Sequence, residues 1–203
     1  MSTWICKSIA VFAGIGVLSG CEGGFNVTRN APEQIQLSDG LVVAGARGWC
    51  VDQATTKTRG DTAVVVLGSC AAIAGDGKLP RPLVPGIVTV SVEDTATEIP
   101  PTEALEAFLV TEPGRAALAR DGRAASVDIL ETRRSGETLY LHAIDRSGWP
   151  RAAAEDYWRA LFDIDGRFVT VSLVGLTATP ISRDEGLATL AAQIERLVDV
   201  NSN

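Results

Sequence analysis

The sequence predicts an α+β domain: a largely antiparallel β-sheet, a C-terminal amphipathic helix packed on one face, and short helices in the middle. Three observations carry this. Apolar residues alternate at period two from residue 87 to 93 and again from 158 to 173. Asp165-Gly166, a favoured two-residue turn, sits inside the second stretch. The chain then closes on an apolar stripe at helical spacing behind a capping signature.

Taken in order, Leu41 to Ala44, Gly48 to Val51 and Thr62 to Ser69 are expected strands. Ala63-Val64-Val65-Val66-Leu67 is continuous and rich in β-branched residues, as in a central strand buried on both faces. From Ile87 to Glu93, Val88, Val90 and Val92 point one way while Thr89, Ser91 and Glu93 point the other. Gly75 to Gly86 between them is a Gly- and Pro-rich loop. Thr102 is expected to cap a helix carrying Leu105, Phe108 and Leu109. Thr111 should start a second one, with Pro113 in its first turn and Gly122 at its end.

Two hairpins follow. The first, Val127 to Asp145 around Ser135-Gly136, carries apolar residues on both faces, so both are read as covered. In its simplest register His142 faces Ile129. In the second, setting Ile164 opposite Arg167 pairs Phe162 with Val169, Ala160 with Val171 and Trp158 with Leu173. One face is then apolar, while Arg159, Asp163, Thr170 and Ser172 fall on the other; that separation is what fixes a register. Ser182 and Glu185 form a capping box, and Leu187, Leu190, Ala191, Ile194, Leu197 and Val198 make the stripe expected to pack on the hairpin.

The first twenty residues have the three parts of a secretory signal: Lys7, an apolar core from Ser8 to Val17, and small residues before a cysteine. Leu18-Ser19-Gly20-Cys21 resembles the lipobox of bacterial lipoproteins, an aliphatic residue and two small ones before an acylated Cys. The resemblance implies a lipoprotein anchored to a lipid bilayer through Cys21 and facing the periplasm, with the inner leaflet of the outer membrane as the default. The apolar run is shorter than the roughly 20 residues a membrane span needs. The expected organisation is a signal peptide over residues 1–20, a lipidated tether over 21–40, and one domain over 41–200. The hairpin plus capped helix is loosely similar to the Mog1/PsbP-like fold. Residues 41–86 resemble a part of uncharacterised small proteobacterial lipoproteins, a likeness that implies no activity.

Cys6 would leave with the signal and Cys21 would carry lipid, which leaves Cys50 and Cys70 to pair in an oxidising compartment. A structural zinc site would need more ligands than these two thiols. The net charge of −7 disfavours nucleic acid as a partner. Glu93, Asp94, Glu98, Glu103 and Glu106 read as a solvated acidic edge and helix start rather than a cation site. Asp163-Ile164-Asp165-Gly166 reads as the hairpin turn, because the remaining ligands of a calcium loop are missing. No metal or cofactor is expected.

His142 is the sole histidine, so any His-based catalysis must use it. A strand position among apolar neighbours reads as structural. Ser69, in Leu67-Gly68-Ser69-Cys70-Ala71, is the nearest look-alike of a nucleophile turn and lacks the second glycine. The leading expectation is therefore a non-catalytic role in binding or assembly with an envelope protein. Its candidate contact is the Pro-rich loop: Pro80, Arg81, Pro82, Leu83 and Pro85, where proline lowers the entropy lost on docking. The alternative is a hydrolase-type enzyme using His142 with a nearby acid, Asp128 or Asp145.

Overall fold

The computed structural model describes residues 30–59, 62–93, 99–148 and 150–202. The lipobox ending at Cys21, the first part of the expected tether, and Asp94 and Glu98 lie outside the described residues. Among the described residues, eight strands form one antiparallel sheet, and helices pack on both of its faces. That is the α+β architecture the sequence predicts.

The sheet contains β3 (Trp49–Val51), β4 (Lys57–Arg59), β5 (Thr62–Ser69), β6 (Gly86–Val92), β7 (Val127–Ser135), β8 (Thr138–Asp145), β9 (Ala153–Ile164) and β10 (Arg167–Leu176). Its order is β3-β5-β6-β10-β9-β8-β7. β3 and β4 share one edge of β5, pairing with its end and its beginning respectively. The short β1 (Gln34–Gln36) and β2 (Val42–Ala44) make a separate ribbon. β1 falls inside the stretch read as tether, so ordered structure begins before residue 41. Pro32 already accepts a hydrogen bond from Val51 N.

The first face is the main core. Val65, Val90, Val171, Leu173, Ala160 and Trp158 line it, and Leu190, Ile194 and Leu197 of α4 (Arg183–Asn201) cover it. The β9–β10 register is the one the alternation dictates: Trp158 opposite Leu173, Phe162 opposite Val169, Arg167 opposite Ile164. Asp165 and Gly166 both take positive φ, as a tight turn matched to strand twist requires.

α4 starts at the expected capping box, with Ser182 and Glu185 bonded reciprocally. Its buried stripe departs from the apolar one. Ala191 and Val198 face solvent, whereas Gly186 and Gln193 are buried. Gly186 is there because the Trp158 indole lies where a Cβ would be, 2.2 Å from its position. Gln193 is there as a backbone mimic: Oε1 accepts from Ala46 N at 2.9 Å and Nε2 donates to Ala44 O at 2.6 Å. Asn201 does the same to both backbone groups of Val42. Helix and ribbon are thus stitched by amides as well as apolar contact. Hydrogen bonds from Ser182 hold the Glu185 carboxyl below its usual range. The cap's contribution is therefore complete above the ordinary carboxylate pKa, about 4.3, and lost as pH falls through the lowered value. Stability measured against pH should drop across that window, and Ser182→Ala should flatten the drop.

The second face is covered over half its width. α2 (Thr102–Leu109) and α3 (Glu112–Leu118) set Leu105, Leu109 and Leu118 on Leu139, Leu141, Ala143, Tyr157 and Leu161. The β7–β8 hairpin is thus covered on this face, whereas Leu130 is 52% exposed and a cavity opens beside His142 on the other, and its register differs from the expected one. Its turn is Gly136-Glu137, since Ser135 pairs with Thr138, and Leu130 is bulged out. Pro101 rather than Thr102 precedes α2, while Thr111 Oγ1 caps α3 as expected. α3 ends at Leu118, short of Gly122. Among the described residues the other half of this face, over β5, β6 and part of β10, is left open, and Val64 is 41% exposed. β5 is therefore paired on both sides, next to the edge strands β3 and β4 rather than at the centre, and is covered on one face only, which corrects the reading of Ala63 to Leu67 as a central strand buried on both.

Candidate functional site

Two places bring candidate residues together. The first surrounds His142. The bulge at Leu130 sets Glu131, not Ile129, opposite His142 on β7, and Trp158 lies opposite on β9. The imidazole stacks on the Trp158 ring, 4.5 Å between centroids and 8° from parallel. Nε2 lies 3.7 Å from Asp156 Oδ2, beyond hydrogen-bond reach, and is buried without a hydrogen-bond partner among the described residues. A cavity of about 640 Å³ opens beside it, walled by Leu130, Ile144, Ala154 and Leu176.

The acids expected beside His142 are elsewhere. Asp128 pairs with Arg146. Asp145 is fully buried and accepts from Arg120 N at 3.1 Å and Ser147 N at 2.8 Å. The hydroxyl lining the cavity belongs to Thr177, and it is directed at the Arg151 and Ala153 carbonyls, 3.2 and 2.9 Å away. Ser69 ends β5, opposite Trp49 on β3, and the sole histidine is on β8. A nucleophile bonded to a base that a third group orients is not assembled among the described residues. The acidic edge has a plain use in ion pairing: Glu103 and Glu106 both pair with Arg134. Among the described residues no His, Cys, Asp and Glu side chains group in a way that could hold a metal.

The second place is the Pro-rich loop. Cys50 of β3 and Cys70, the first residue of α1 (Cys70–Ala74), form a disulfide, as their isolation in the sequence implies. Cys70 N also donates to Gly48 O, and Ala71 N to Pro80 O. At Gly48 a Cβ would lie 2.4 Å from Arg81 C, so the loop backbone is seated directly on the β2–β3 turn. Val84 is buried, which pins the far end. Between these anchors Leu83 is fully exposed. The bridge closes a loop of sequence separation 20, for which chain entropy gives about 3 kcal/mol. Changing Cys50 and Cys70 together to Ala should lower stability by about that amount, read by urea melts without reductant.

The loop divides two hollows. On one side Leu83, Val84 and Trp49 face Ala188 and Ala192 of α4 across a groove of about 730 Å³, with Arg47 and Glu185 at its edges. On the other, Pro82 and Pro85 help to wall a cavity of about 1170 Å³ under α1. Arg81 lines both. The small residues of α4, which the sequence reading left aside, make the groove possible. Ala188, Thr189 and Ala192 recur at helical spacing, a signal visible once the core stripe is shifted by Gly186 and Gln193. No protein-family model matches the chain, and no curated protein matches it either.

Proposed function

We propose that the chain is a lipid-anchored lipoprotein of the bacterial envelope, held through acylated Cys21 and facing the periplasm, with a non-catalytic role in binding or assembly. Its docking element is the Pro80–Pro85 loop with the groove beside α4. The observation that carries this is Leu83: a large aliphatic side chain fully exposed on a loop fixed at both ends. An apolar group held rigidly in water is the pattern of an interface anchor, since the ordering cost of docking is already met. Arg47 and Arg81 flank the groove, and Lys78 lies just before the loop. The partner is therefore an envelope protein segment with an apolar side chain for the groove and carboxylates for these cations.

A photo-crosslinking residue in place of Leu83, irradiated in cells, tests this. The expected result is a discrete protein adduct that is lost on Arg81→Glu. Adducts to lipid alone, or an adduct indifferent to Arg81→Glu, would overturn the docking reading. The anchor has its own test: Cys21→Ser should abolish palmitate labelling, and persistent labelling would refute the lipobox.

A further inference from the structure

We propose that the open half of the sheet's second face binds a fatty acid, its carboxylate held by Arg159 and its chain running over Ile87 into the cavity under α1. Arg159 sits at the middle of β9, between Leu141 of β8 and Ser172 of β10. Its Nε donates to Ser172 Oγ at 2.9 Å, and its guanidinium lies 5.1 Å from the centroid of the Tyr157 ring. It forms no ion pair with any described residue. Burial pushes its pKa down, opposed by the charges of Tyr157 and Asp145. A half-buried guanidinium with one side-chain hydrogen bond retains donors in the fork geometry that a carboxylate matches. The Tyr157 hydroxyl, also buried, has no hydrogen-bond partner among the described residues.

The surroundings supply the rest of an amphiphile's site. Arg159 stands near the border of the α2–α3 layer, whose buried residues end on β9 and against which only Phe168 and Val174 of β10 pack. Beyond it on the same face come Ser172, then Thr89 and Val66, in a cross-strand row. These hydroxyls can take part in holding a carboxylate head. The guanidinium tilts over Tyr157, which belongs to the next row, with Val174 and Ile87. Ile87, 47% exposed, lines the 1170 Å³ cavity together with Gly68, Ile73 and Leu176. Two strand spacings across and one pleat along put Arg159 about 12 Å from Ile87. Continuing to Leu176 adds about one further pleat, the reach of a medium-length acyl chain. Arg159 at one end and the apolar side chains of Ile73, Ile87 and Leu176 along one wall of the hollow at the other fit a single-chain carboxylate, while Asp52, Gln53 and Arg81 line the rest of that hollow.

The test is displacement of dansyl-undecanoate from the full-length chain. Dodecanoate should compete, while its methyl ester and a single-chain phosphocholine lipid of equal length should not. Arg159→Gln should weaken dodecanoate by at least about tenfold, with partial recovery in Arg159→Lys. Ile87→Asp, at an exposed position, should weaken it as well without touching the cation. Absence of saturable probe binding, equal competition by the methyl ester, or wild-type affinity in Arg159→Gln would each overturn the proposal. Thermal melts separate loss of binding from loss of fold; should the Gln variant not fold, Ile87→Asp decides. The outcome is independent of the Leu83 crosslinks.

Discussion

Leu190→Asp is expected to cost more than about 4 kcal/mol, enough to leave much of the population unfolded. Leu190 is 0% exposed at the centre of the α4 stripe, against the first face of the sheet. A carboxylate there must either ionise without a cation or stay protonated in an apolar setting. The nearest buried polar side chain on the helix, Gln193, already has both ends of its amide engaged by Ala44 and Ala46. Urea denaturation monitored by circular dichroism reads the loss. Ala191→Asp is the internal control, because Ala191 faces solvent and should shift stability by less than about 0.5 kcal/mol. Equal effects at the two positions would mean that α4 is not seated as described.

Trp158→Ala is expected to cost about 3–5 kcal/mol. The indole is 1% exposed and packed between the backbone of α4 at Gly186 and the imidazole of His142. Neither neighbour can fill the space: Gly186 has no side chain, and His142 is fixed on a paired strand. The cavity therefore stays open, which is what sets large-to-small costs at the high end of their range. The midpoint of thermal unfolding should fall by on the order of 10 °C for a domain of this size. A near-wild-type midpoint would mean that α4 collapses onto the sheet. Enlarging Gly186 tests the same contact from the other side, with overpacking in place of a void.

The parts of the fold that sequence alone predicted are those decided by local rules. The Trp158–Leu173 hairpin needed only a turn dipeptide and alternation, and its register is the observed one. The capping box needed only Ser182 and Glu185. The Cys50–Cys70 bridge followed from having two cysteines left to pair. What escaped was fixed by distant partners. β1, β4 and α1 span three to five residues each and owe their form to strands and loops far along the chain. The bulge at Leu130 moves Glu131 into the place expected for Ile129, and nothing in residues 127–135 marks it beforehand. Gly186 and Gln193 break the apolar stripe for reasons that lie on β9 and β2. Of the candidate sites, the Pro-rich loop was visible in composition. The hollows on either side of it were not, because their far walls come from α4 and from β6 and β10. Arg159 counted as one of several residues on a polar hairpin face. Only α2 and α3, packed over the covered half of that face, distinguish it from a solvated surface cation.

The Pro80–Pro85 loop is a partition with a hollow on each side and one arginine, Arg81, lining both. A partition of this kind makes the two occupancies thermodynamic neighbours. If filling the cavity under α1 shifts Arg81 or Leu83, it changes the affinity of whatever occupies the groove beside α4. The reverse change must then have the same magnitude, because a coupling free energy belongs to the pair of sites and not to either one. A protein built this way could report the contents of one hollow through whatever occupies the other. The disulfide at the foot of the loop would limit how much of that signal is lost to flexing.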